Sequence, residues 1–181
     1  LTFVDPTSGE YGALGHQIID SSLDKPPDFL KGAIYMASIQ QVKKSIPGQP
    51  GYKVSVIDRN QARLGNVSDN QIYGIFGKWE NTLQQSVQQP MEIIHAQQVK
   101  PGKAQLLTAI KGNEVQAYDI EIQKKESKTF QFIVKDEELL QKTGGILQGM
   151  SGSPIVQNGQ FVGAVTHMYV DEPTKGAAIF I

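Results

Sequence analysis

The sequence predicts an all-β fold, and three observations carry that expectation. Long helical periodicity is scarce. Short apolar runs follow one another between clusters of Gly, Pro, Asn and Asp. One run, from Tyr118, alternates apolar and polar residues at the period of a strand, and the whole pattern suits a sandwich or barrel.

Taken in order, strands are expected over residues 13–19, 32–42, 52–57, 71–76, 91–97 and 103–110. The pair Gly112-Asn113 supplies positive φ for a turn, and a return strand begins near Val115. From Tyr118 that strand alternates cleanly, with Tyr118, Ile120 and Ile122 on one face and Asp119, Glu121 and Gln123 on the other. Residues 45–51, with two prolines and two glycines, form a loop. Residues 84–90, with four glutamines in seven positions, read as a polar connector between two β lobes of about 1–88 and 89–181. Residues 135–142 hold one or two helical turns, since Asp136 can cap them and Glu137 and Glu138 suit a helix N-terminus. At the end, residues 154–157 are a strand, Asn158-Gly159 is a two-residue hairpin turn, and residues 160–165 return.

Composition narrows the function. With 17 basic and 18 acidic residues the net charge is −1, so there is no electrostatic reason to expect nucleic acid as a partner. No apolar run approaches the roughly 18–20 residues that span a bilayer. The absence of cysteine excludes disulfides, thiolate zinc sites and a cysteine nucleophile. There is no Gly-x-x-x-x-Gly-Lys phosphate loop and no His-Glu-x-x-His zinc motif, so neither a metal nor an organic cofactor is expected. The chain begins Leu1-Thr2-Phe3-Val4-Asp5 and stops inside the apolar run Ile179-Phe180-Ile181, which reads as a domain excised from a longer precursor.

The chemistry concentrates in Gly149-Met150-Ser151-Gly152-Ser153-Pro154. A serine hydroxyl is a poor nucleophile near neutral pH and needs a base beside it and donors for the charge it creates. Flanking glycines let the backbone turn so that the N–H groups of Gly149 and Ser151 form an oxyanion hole. The loop alone is equally compatible with a plain glycine-rich turn whose serines cap backbone groups. The hairpin behind it separates the two readings. Ser-Gly-Ser-Pro, strand, Asn-Gly, strand resembles the nucleophile segment of chymotrypsin-like peptidases, which makes Ser151 rather than Ser153 the nucleophile. That resemblance puts Thr166, His167 and Met168 on the strand that pairs with substrate. The nucleophile elbow of α/β-hydrolases fits poorly, because Ser153 replaces its second glycine and a hairpin follows instead of a helix.

Three histidines are candidates for the base. His16 follows Gly15 at the start of an apolar run and precedes the serine in chain order, as in chymotrypsin-like enzymes. His95 alternates within 91–97 and reads as structural. His167 is close to Ser151 in sequence but falls on the substrate strand. The carboxylate that orients the imidazole can come from Asp20, Asp58, Asp69, Asp119, Asp136 or Asp171.

Across nearly the whole chain the sequence closely resembles the stage IV sporulation protein B serine peptidases of endospore-forming bacteria. The matching stretches are Leu1-Thr2-Phe3 with Asp5-Pro6, Tyr11-Gly12-Ala13-Leu14-Gly15-His16, Gly74-Ile75-Phe76-Gly77, Leu139 through Ile155, and Gly163-Ala164-Val165-Thr166-His167. The resemblance implies a chymotrypsin-like double β-barrel with short helical segments and a triad of His16, Asp136 and Ser151. It also implies a membrane anchor and a PDZ domain upstream of Leu1. By the same resemblance the protein is exported to the space between forespore and mother cell and processes itself. It then cuts a membrane-bound regulator, releasing an intramembrane protease that activates a late mother-cell sigma factor.

Two departures from ordinary chymotrypsin-like patterns have consequences. Met150 stands where digestive enzymes carry the aspartate that pairs with a freed amine, so activation by that ion pair is excluded. Gly145 stands at the floor of the specificity pocket, so no preference for basic residues is expected there. The rival function is a binding module on a peptidase fold, acting by docking a partner.

Overall fold

Hydrogen-bond closure divides the strands into two unequal groups. The structure is a computed structural model that describes residues 1–20, 22–28, 31–58, 60, 62–80 and 90–181. In the C-terminal group, β9 (Gly102–Thr108), β10 (Gln116–Lys125), β11 (Thr129–Val134), β12 (Pro154–Gln157), β13 (Gln160–Met168) and β14 (Lys175–Phe180) close a barrel in the order β10-β11-β14-β13-β12-β9. In the N-terminal group, β1 (Phe3–Val4), β2 (Glu10–Leu14), β7 (Asp69–Gln71) and β8 (Gly74–Lys78) form one sheet in the order β1-β2-β8-β7. Two ribbons complete it: β3 (Gly32–Ile34) with β6 (Gly65–Val67), and β4 (Ala37–Lys43) with β5 (Tyr52–Ile57). This is an all-β, chymotrypsin-like fold.

The barrel owes its closure to alternation. Tyr118, Ile120 and Ile122 of β10 and Phe130, Phe132 and Val134 of β11 all point inward, against Leu106, Ile155, Val162 and Ala178. Burying such side chains stabilises by about 1.5–3 kcal/mol each before entropy is counted. Asn158 (φ 51°) and Gly159 (φ 74°) make the tight turn between β12 and β13, whose right-handed twist such positive φ values match. The one helix among the described residues, α1 (Glu137–Thr143), is capped by Asp136, whose side chain accepts from Leu139 N–H. No helix of the described residues is long and apolar enough to cross a membrane.

Four expected elements differ in extent. The run 13–19 is a strand only to Leu14, because Gly15 (φ 140°) turns the chain out of the sheet. The runs 32–42 and 71–76 are each broken by a bend, into β3 and β4 and into β7 and β8. The turn at Gly112 does use positive φ (59°), but 109–115 is a longer loop held by a bridge from Gly112 to Ile39. Residues 91–97 are not a strand. Six strands already close the barrel, and the segment adds only a single bridge, Ile93 to Phe161, at the start of β13. The glutamine-rich connector falls, apart from Pro90, outside the described residues.

Candidate active site

The loop after α1 leads into β12 and carries Ser151 at an exposed bend. Met150 beside it is completely buried in the barrel core, where its sulfur accepts from Leu147 N–H at 3.4 Å. An apolar anchor therefore holds the loop where digestive enzymes use an ion pair. On either side, Gly149 (φ 93°) and Gly152 (φ 82°) adopt left-handed backbone. Gly152 is also required by space, since a Cβ there would lie 2.3 Å from the carbonyl oxygen of Leu14. Its N–H donates to Val165 O at 2.8 Å, and its carbonyl accepts from Thr2 Oγ1 at 2.7 Å. The same hydroxyl accepts from Leu14 N–H at 2.8 Å, so Thr2 ties the end of β2 to the nucleophile loop.

That contact brings the segment before His16 onto the loop that carries Ser151. Gly15 lies directly on the loop: a Cβ at Gly15 would meet Ser151 Cβ at 2.9 Å and Gly152 N at 3.2 Å. His16 follows, exposed, on the turn that Gly15 makes possible. Its Nδ1 lies 2.9 Å from the carbonyl oxygen of Gln17. A carbonyl can only accept, so this bond puts the ring proton on Nδ1 and leaves Nε2 as the basic nitrogen. Ser151 Oγ donates to Thr166 O at 3.2 Å in this arrangement, rather than to the imidazole.

Among the described residues, neither Gly149 N–H nor Ser151 N–H donates to a protein acceptor, whereas Met150, Gly152 and Ser153 N–H all do. Two neighbouring donors without partners are what a developing oxyanion needs.

Asp136 stands elsewhere in the hydrogen-bond network. One carboxylate oxygen accepts from Leu139 N–H at 2.9 Å and the other from Asp119 N–H at 3.3 Å, so its direct partners are the start of α1 and the β10 backbone. Among the described residues no hydrogen bond joins it to His16.

A groove of about 760 Å3 opens beside His16, lined among others by Tyr73, Phe130, Thr166, His167 and Tyr169. Thr166 and His167, both on β13, line it. Met168 turns instead onto the barrel core, and Gly145 is packed with its α-carbon against the Pro173 carbonyl. His95 is exposed on a turn, its carbonyl accepting from Gln98 N–H.

Sequence reasoning missed Thr2, Gly15 and Lys53. Lys53 extends its stem over Gly149 and hydrogen-bonds Thr108 Oγ1 at 2.9 Å, and burial lowers its pKa to about 8. A lysine in a polar alternating strand gives no signal of that kind, because the partner lies 55 positions away.

A glycine-flanked serine, a glycine–histidine turn whose glycine packs on that serine and a β-barrel behind them are features shared with the chymotrypsin-like serine peptidases. The whole chain, residues 1–181, matches the family described as SpoIVB peptidase S55, and the chain belongs to that family of serine peptidases. No curated protein and no solved structure matches it.

Proposed function

We propose that the chain is a serine endopeptidase that uses Ser151 as nucleophile and His16 as general base. Ser151 Oγ attacks the scissile carbonyl carbon and passes its proton to His16 Nε2. The tetrahedral oxyanion is held by Gly149 and Ser151 N–H, and His16 then returns the proton to the leaving amine. Water repeats the sequence on the acyl-enzyme. The observation that carries this reading is the close packing of Gly15, the residue before His16, on Ser151.

The Gln17 carbonyl performs one part of the orienting role, fixing the tautomer. Asp136, the family's third residue, acts through α1 and the loop that follows it, with its charge at the helix start. Thr166 and His167 receive the substrate backbone along the groove. Family membership supports the wider role: a protease of sporulation signalling that works between forespore and mother cell. There it processes itself and cuts a membrane-bound regulator, releasing an intramembrane protease that activates a late sigma factor.

The test is substrate capture. Membrane proteins from sporulating cells are incubated with wild type or Ser151→Ala, and newly formed N-termini are sequenced. New termini clustered in the extracytoplasmic part of one membrane protein, absent with Ser151→Ala, are expected. Identical termini in both samples would contradict the reading.

A further inference from the structure

Lys53 lies in β5, in a ribbon that belongs to neither the barrel nor the four-stranded sheet. Its main chain and side chain nevertheless both reach the nucleophile loop, from opposite ends. Lys53 N–H donates to Gln148 O at 3.1 Å, and Gln148 N–H donates to Gly51 O at 2.9 Å, making a short parallel bridge just before Gly149. The lysine stem then runs over Gly149, where a Cβ would be only 3.5 Å from Lys53 Cβ. Its ammonium reaches Thr108 Oγ1 at 2.9 Å, and Ser153 Oγ meets that same hydroxyl at 3.1 Å. Gln148, Gly149 and Ser153 therefore all rest on one residue or its hydrogen-bond partner, and Ser151 lies between them.

The charge is as unusual as the contact. Among the described residues Lys53 has no carboxylate within ion-pair distance. A half-buried, unpaired cation costs stability, and apolar residues of similar length fill such space without that cost. Positive charge held close to this loop, at the hydroxyl that Ser153 also meets, favours an anion in front of its two unengaged N–H groups.

We propose that Lys53 is a positioning residue for the nucleophile. It holds loop 148–153 in the form that keeps Gly149 and Ser151 N–H directed at the oxyanion, and it places a positive charge close to that loop. The inference rests on Ser151 being the nucleophile.

Three variants of the full 181-residue chain test it: Lys53→Met, Lys53→Arg and Ser151→Ala. Each is measured for melting temperature, rate of labelling by a fluorophosphonate probe, and kcat and KM on a peptide substrate. For Lys53→Met, labelling rate and kcat are expected to fall at least about tenfold, with KM within about threefold of wild type and the melting temperature equal or higher. Lys53→Arg recovers much of the loss. Wild-type labelling and kcat in a folded Lys53→Met protein would overturn the proposal. So would losses that only follow a lowered melting temperature and are not recovered by arginine. Labelling that persists in Ser151→Ala would remove the nucleophile reading itself, an outcome distinct from either.

Discussion

The two groups of strands differ in how they are held. Nearly all of the fully buried apolar side chains belong to the C-terminal barrel; among the described residues before Val99, Tyr11 alone reaches that level. In the N-terminal group, Val54, Val56, Ile57, Ile72 and Tyr73 are exposed. Ser151, the proposed nucleophile, thus stands on the well-packed part and His16, the proposed base, on the sparsely packed one. Polar and backbone contacts join them: Thr2 to Gly152, Gly15 on Ser151, Ser45 Oγ to Ile146 O, and Lys53 to Gln148 and Thr108. Such joints break at lower cost than a core, so the assembly of base and nucleophile is separable from the folding of the barrel. Control of activity at this joint would replace the ion-pair activation that Met150 forecloses.

Graded effects follow from this difference. His16→Ala should lower peptide hydrolysis by about 10^4-fold or more, as removal of a base does in serine proteases. Its melting temperature should stay unchanged, because the ring is exposed and bonded only to its neighbour's carbonyl. Phe132→Ala should cost about 3–5 kcal/mol in a denaturant titration, by emptying the barrel core. Val56→Ala, in the ribbon, should stay within about 0.5 kcal/mol. Equal costs for the two would erase the difference between the groups.

Lys53 gives the joint a pH dependence whose sign is fixed by burial. Its folded pKa is about 8 against 10.5 unfolded, so between those values the unfolded chain binds more protons. The burial cost is fully present below pH 8 and is relieved as pH rises towards 10.5. The shift corresponds to at most about 3 kcal/mol. Stability measured from about pH 7 to 10.5 should therefore rise in wild type relative to Lys53→Met, and parallel profiles would remove the effect.

Asp136 offers a small but discriminating change. Asp136→Ala should cost about 1 kcal/mol as a lost helix cap, while Asp136→Asn, which still caps, should cost much less. If the residue acts through α1, the asparagine variant keeps most of its activity. Equal loss of activity in both variants at unchanged stability would make its charge, not its cap, the essential feature.

What was legible in the sequence was local. The alternation from Tyr118, the Asn158-Gly159 turn and the Asp136 cap each depend on a few consecutive residues, and each is present where expected. The strand expected at 91–97 failed because an apolar run needs an open sheet edge, and barrel closure removes it. Gly15 was visible as a glycine before a histidine, but not as the point where two halves of the chain touch. Thr2 stood only within a matching stretch and Lys53 left no trace, since their partners lie 150 and 55 positions away. The reading of Asp136 as a bland cap came from local chemistry and that of orienter from family resemblance; its carboxylate accepts the cap bond from Leu139 N–H and a second from Asp119 N–H of β10.

The most direct test of the nucleophile and its base is to locate a fluorophosphonate adduct on the wild-type chain by peptide sequencing, with His16→Ala and Ser151→Ala alongside. The expected result is a single adduct on Ser151, formed far more slowly in His16→Ala and absent in Ser151→Ala. An adduct on Ser153, or labelling of Ser151 at an unchanged rate without His16, would contradict it.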